Sequence, residues 1–197
     1  MYPDDIDPQS GCRLPLPRRD ELSPDGRRIY DSLADPNGGT LRGLRGPGGI
    51  MLHSEELARR AQPLNRYLRN EAGLGPRLRE LAILATAREL DSQFEWVAHE
   101  AKALREGIPM EVIDTIKHRG SLDTVDPADA AVITLAREIF TARKVGSATF
   151  AKALALFGDK KLVELVALMG NYAAAASLLT AFDMQLDPGQ KPPLPPR

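Results

Sequence analysis

The chain has 197 residues, with 26 Lys and Arg against 27 Asp and Glu, a formal net charge of −1 and a sequence pI near 6.3. That length suits one compact domain, or two small halves sharing a core, without covalent staples. The balanced charge gives no clustered basic excess, so nucleic acid is not an expected partner. The single cysteine, Cys12, excludes an intramolecular disulfide, a Cys-based zinc site and an internal dithiol couple.

The N-terminus, Met1-Tyr-Pro-Asp-Asp-Ile-Asp, is acidic and has no basic stretch leading into an apolar core. It is not a secretory pattern, and a cytoplasmic protein is expected. Residues 1–21 are rich in Pro, Asp and Arg without periodicity, and read as an irregular arm lying over the domain or over a neighbouring subunit. Ser23-Pro24, an N-cap followed by Pro at the first helical position, predicts a helix that stops at Pro36. The glycine-rich stretch Asn37 to Gly49 predicts a loop, and long loops inside compact domains are often functional.

From Ser54 onward the apolar spacing is helical. Ser54 caps a helix that is broken or kinked near Pro63 and runs on toward Gly73, and Pro76 opens another ending near Leu90. Asp91 or Ser92 caps a third, with Phe94, Val97, Ala98, Ala101 and Leu104 expected inward and Gly107 as its stop. A short helix follows from Pro109 to His118, then a longer one from Asp126-Pro127 to about Ala142. Ser147 and Asp159 cap the last two, and Pro188 to Pro196 cannot stay helical. The fold class expected is all-α: a helical bundle over 22–186, with an irregular arm before it and a Pro-rich tail, 187–197, after it. Leu162 to Phe182 is long enough to span a membrane, but Glu164 and Asn171 within it favour a buried core helix and no membrane partner.

Chemistry concentrates between Arg77 and Glu100. With Ser92 at the helix start, Glu95 and His99 lie four apart on one face, a carboxylate beside an imidazole. Glu80, on the preceding helix, can reach the same face across an antiparallel pair. Such a group in a dry pocket makes a proton relay. Other readings stand beside this one. Ser92-Gln-Phe-Glu95 is a capping box in which Glu95 returns a hydrogen bond to the Ser92 backbone. Glu80 reads equally as a solvated first-turn residue complementing the helix dipole, and Trp96 as a core or interface anchor. A metal held by Glu95 and His99 is not expected, because no third ligand has a telling spacing.

The run Arg-Glu-Leu-Ala-Ile-Leu, followed by Glu-Trp-x-x-His and a Gly, resembles the carboxymuconolactone decarboxylase and alkylhydroperoxidase D superfamily. The likeness covers roughly Leu52 to Leu186, with Met51-Leu-His-Ser and Gly170-Asn-Tyr included. In the peroxidase branch a Glu precedes Cys-x-x-Cys and a His four residues beyond. That alignment puts Glu80 on the family Glu, Ser92 and Glu95 on the two Cys positions, and His99 on the His. Both sulfurs are absent, so a thiol–disulfide cycle is not available.

The resemblance therefore implies an AhpD-like bundle of the cysteine-free branch, acting on a small lactone or related carboxylic acid with no cofactor. It gives His99 as the leading general acid/base, Glu95 as its proton partner or the alternative acid, and Glu80 as the group orienting the imidazole. His53 and Tyr172 are the candidate substrate contacts, with Gly46 to Gly49 shaping the entrance, and Arg77 or Arg79 a receiver for a substrate carboxylate. It also implies a homo-oligomer, a trimer or hexamer. The alternatives are a peroxidase scaffold that has lost its Cys pair and a non-catalytic oligomeric binding protein.

Overall fold

The computed structural model describes residues 2–36 and 41–196, and among these it is all-helical, with no strand. Two compact units divide the chain: Met1–Arg66 with Ala175–Lys191, and Tyr67–Ala174 with Pro192–Arg197.

In the first unit, α1 (Pro24–Ala34) starts as its sequence requires. Ser23 is the N-cap, and its Oγ accepts the Gly26 N–H at 3.1 Å. Of the glycine-rich stretch, Asn37 to Thr40 lie outside the described residues. Its second half departs from the expected loop, because Pro47–Met51 forms a short helix, α2. The reason is local: Pro47 sits at the first helical position, where its fixed φ favours a helix and its missing N–H is not needed. Gly49 permits a close approach here, since a Cβ at this position would lie 2.0 Å from the Leu44 carbonyl oxygen. Helix α3 (Glu55–Arg66) runs through Pro63 instead of breaking there. Ile29, Leu52 and Ala58 bring α1, α2 and α3 onto one small core.

The arm is irregular apart from a turn at Arg19–Glu21, but it is not loose. Ile6, Ser10 and Cys12 are buried, and the Cys12 thiol donates to the Leu14 carbonyl at 3.3 Å.

The second unit opens on a π-helical turn, Tyr67–Glu71, closed by the Ala72 N–H on the Tyr67 carbonyl at 2.9 Å. Helix α4 (Pro76–Glu89) is its centre and packs against α5 (Gln93–Arg105), α6 (Met110–Lys117) and α7 (Pro127–Arg137). Every residue from Glu80 to Glu89 is buried, so this helix has no solvent face in place of the single apolar stripe its spacing suggests. Its last residue is held from two sides: Glu89 accepts from Arg119 Nε at 3.2 Å and from Thr141 Oγ1 at 2.5 Å.

Helix α5 corrects the expected inward face. Ala101 and Leu104 are exposed and Val97 and Ala98 half-buried, whereas Phe94, Glu95, Trp96, His99 and Ala103 are buried. The turn that links α4 to α5 is tight, with Asp91 in the left-handed region at φ 51°. The buried face of α5 thus carries Glu95 and His99 beside Phe94, Trp96 and Ala103.

A second π-helical turn, Glu138–Ala142, follows α7. Helix α8 (Ser147–Ala181) is interrupted at Gly158, whose φ of 70° and ψ of 167° only glycine adopts readily, so two helical segments meet there as the two expected caps imply. By length and composition α8 could cross a membrane. Leu162, Leu165, Leu168, Met169 and Tyr172 instead place one side of it in the core of the second unit.

The Pro-rich tail is non-helical, as expected, yet anchored. Gln93 Nε2 donates to the Leu194 carbonyl at 3.0 Å, the Leu194 N–H donates to Gln93 Oε1 at 2.9 Å, and the Leu194 side chain is 3% exposed. Leu194→Ala is expected to destabilise the protein by about 2–4 kcal/mol, read as a lower urea midpoint at unchanged m. A midpoint equal to that of the unmutated protein would show the tail to be unattached.

Candidate active site

Glu80 stands on the second turn of α4, and Glu95 and His99 stand one turn apart on α5. The three-residue link between these helices, Leu90 to Ser92, makes them pack side by side, which brings the three groups together. The Glu80 carboxylate is fully buried; its Oε2 lies 2.6 Å from His99 Nδ1, and its Oε1 lies 3.0 Å from Lys102 Nζ and 3.2 Å from Arg79 Nε. On the other side of the imidazole, Nε2 faces Glu95 Oε2 at 3.6 Å. Tyr172, on α8, meets the imidazole edge-on, with ring centroids 5.2 Å apart at 85°.

The capping-box reading of Glu95 fails. The Ser92 N–H it would receive is donated to the Ala87 carbonyl at 2.8 Å, and the Ser92 side chain caps nothing. Glu80 as a solvated first-turn residue fails as well, since it is 0% exposed. Trp96 is a core anchor, fully buried, with Lys117 Nζ 5.7 Å from its ring centroid.

Environment drives the two carboxyls in opposite directions. Burial raises Glu80, but the hydrogen bond and charge of His99, followed by Lys102, outweigh it and bring its pKa down to about 2. Burial dominates at Glu95 and raises its pKa to about 7, with the Arg69 charge opposing. Burial lowers His99 against the pull of Glu80, and raises Tyr172, which therefore stays a neutral hydroxyl. Near neutral pH the ionised Glu80 thus accepts Nδ1–H from a neutral imidazole, and Nε2 presents its lone pair toward a protonated Glu95. Divergent environments on neighbouring carboxyls are what assigns one to hold and the other to donate a proton.

The remaining candidates take other places. Arg79 is committed to Glu80 and to the Arg69 carbonyl. Arg77 forms a bidentate pair with Asp129, both contacts 2.7 Å. His53 belongs to the first unit, where it is exposed and its Nε2 lies 2.9 Å from the Pro15 carbonyl. It lines a cavity of about 10 Å³ together with Cys12, Gly46 and Gly49, the space of roughly one water. A larger surface hollow, about 260 Å³, lies between Ala72-Gly73 and Phe157 to Glu164, and neither cavity is lined by Glu80, Glu95 or His99.

Two participants were not singled out from the sequence. Lys102, three residues beyond His99, was legible in principle as the next position on the same face of α5. Arg69, whose charge acts on Glu95, His99 and Tyr172 together, carries no signal in its spacing, because a π-helical turn places it.

Residues 55–138, which include Glu80, Ser92, Glu95 and His99, match the model of the Carboxymuconolactone decarboxylase family. A search of curated proteins finds no match to the chain. The chain is thus similar over this segment to the carboxymuconolactone decarboxylase family, with the buried Glu80–His99–Glu95 group inside the matched residues.

Proposed function

We propose that the protein is a cofactor-independent acid/base lyase, a decarboxylase or isomerase, acting on a small lactone or related carboxylic acid. Its expected form is a cytoplasmic homo-oligomer, a trimer or hexamer. The observation that carries the reading is the His99 imidazole held between the buried Glu80 carboxylate at 2.6 Å and the buried Glu95 carboxyl at 3.6 Å, with no thiol at the site. Glu80 fixes the ring, and Arg79 and Lys102 fix Glu80. Glu95 is an acid at a pH where a substrate carboxylate is ionised. In decarboxylation the bond from the ring carbon to the carboxylate breaks and CO₂ departs. The electron pair enters the conjugated lactone as a dienolate, and Glu95 gives its proton to carbon. One solvent proton, passed through His99, restores Glu95. Tyr172 is the substrate contact beside the imidazole, Arg79 a positioning residue, and His53 takes no assigned part in this step.

A second reading, a non-catalytic oligomeric binding protein, is favoured by the burial of the group: Glu80, His99 and Glu95 are 0, 3 and 5% exposed. A peroxidase is not supported, because Cys12 is buried in the other unit and no second thiol exists in the chain. Incubation with γ-lactone carboxylic acids in deuterated water separates these readings. The lyase places one carbon-bound deuterium for each CO₂ released, whereas absence of CO₂ and of exchange across the series supports the binding protein.

A further inference from the structure

The first segment of α8 has the composition of a buried helix and the surroundings of an exposed one. Over Ser147 to Phe157 its only charged residue is Lys152 and its only fully buried one is Ala153. Phe150, 53% exposed, shares one side with Leu154, and Leu156, 44% exposed, stands on another. A helix apolar on every side is ordinarily covered, and a patch of this kind marks an interaction surface. Its surroundings are basic: Lys144, Lys152 and Lys161 are exposed against Asp159, and among the described residues none of these lysine side chains has an ion pair. The same unit carries a second apolar patch with acidic surroundings. At the corner between α5 and α6, Met110 is 47% exposed and Leu104 is exposed beside it. Glu111 and Asp114 are exposed and Glu106 half-buried, against one cation, Arg105, and among the described residues none of the three carboxylates has an ion pair. Several other exposed carboxylates do pair within the chain, as Asp31 does with Arg19 and Glu56 with Arg59.

We infer that the Phe150–Leu154 face of α8 docks onto the Leu104–Met110 corner of a second copy of the chain, with Lys152 and Lys161 set against Glu111 and Asp114. Opposite charge around the two patches favours this pairing, and like charge disfavours α8 of one copy against α8 of another. The contact is therefore heterologous: each copy gives one face and receives the other. Two copies leave a face uncovered, so assembly continues to a ring of three or more. A lipid surface also suits a basic apolar helix, but it leaves the acidic corner uncovered. The docking rests on the homo-oligomeric form proposed above and not on the reaction, since neither face includes Glu80, Glu95 or His99.

Sedimentation of the full-length protein over a concentration series is expected to give a trimer or a larger closed assembly, and Leu154→Asp is expected to weaken association at least about tenfold. Lys152→Glu with Lys161→Glu weakens it likewise, as does Glu111→Lys with Asp114→Lys. All four reversals in one chain restore the attraction with its sign exchanged, and bring association back to within about threefold of the unmutated protein. Unchanged helical circular dichroism checks that each variant folds. A monomer overturns both the contact and the homo-oligomeric form. A dimer, an assembly indifferent to Leu154→Asp, or no recovery in the fourfold variant overturns the contact and leaves the homo-oligomeric form standing. Co-flotation with phosphatidylserine vesicles that is lost in Leu154→Asp assigns the face to lipid and overturns the contact as well.

Discussion

Glu80→Ala is expected to destabilise the fold by about 3–5 kcal/mol, because it strands the charges of Lys102 and Arg79 and the Nδ1–H of His99 without their shared acceptor. Chemical denaturation at pH 7 measures it. The pH dependence has a defined sign. The Glu80 pKa falls from an ordinary 4.5 to about 2 on folding, so its contribution is fully present above about pH 4.5 and is lost as pH drops toward 2. The shift corresponds to roughly 3 kcal/mol. Glu95 behaves oppositely, with a folded pKa raised to about 7. Its contribution is present below about pH 4.5 and disappears as pH rises to 7. Glu95→Gln, which stays neutral, therefore abolishes the loss of stability between pH 4.5 and 7. Glu80→Ala stability matching that of the unmutated protein at pH 7 would mean that the carboxylate supports nothing.

The larger effect on chemistry belongs to the acid and its partner. Glu95→Gln and His99→Gln are each expected to lower turnover of a lactone acid by about 10²–10⁴-fold, the usual worth of a positioned proton donor. Since the two act as a unit, the double variant should be little worse than either single one. Turnover in the unmutated protein should fall above about pH 7, where Glu95 loses the proton it delivers. Single variants within twofold of the unmutated protein would remove both groups from the reaction.

Much of this was legible in the sequence because its signals are local. Ser23-Pro24, Pro76 and Asp126-Pro127 mark helix starts by capping chemistry and by the fixed φ of proline, and α1, α4 and α7 begin where those signals lie. The four-residue spacing of Glu95 and His99 survives into the structure for the same reason. What was not legible depends on rotation and long-range packing. Val97, Ala98, Ala101 and Leu104 formed the more apolar stripe of α5, yet the helix turns Glu95, Trp96 and His99 inward, because Glu80 on the fully buried α4 offers them a partner. Interior polar pairing overrode hydrophobic periodicity there. Arg69 escaped notice because a π-helical turn shifts the register of every later residue, and no composition signal marks one. The attachment of Leu194 is likewise a contact across 101 positions that no window of the sequence contains.

Carbon-13 NMR of glutamate side-chain carboxyls, followed from pH 4 to 9 in the unmutated protein and in Glu95→Gln, addresses the proton relay most directly. One glutamate should titrate near pH 7 and vanish in the variant, while another stays ionised throughout. If every glutamate is ionised by pH 5.5, Glu95 holds no proton to give and the acid/base account is wrong.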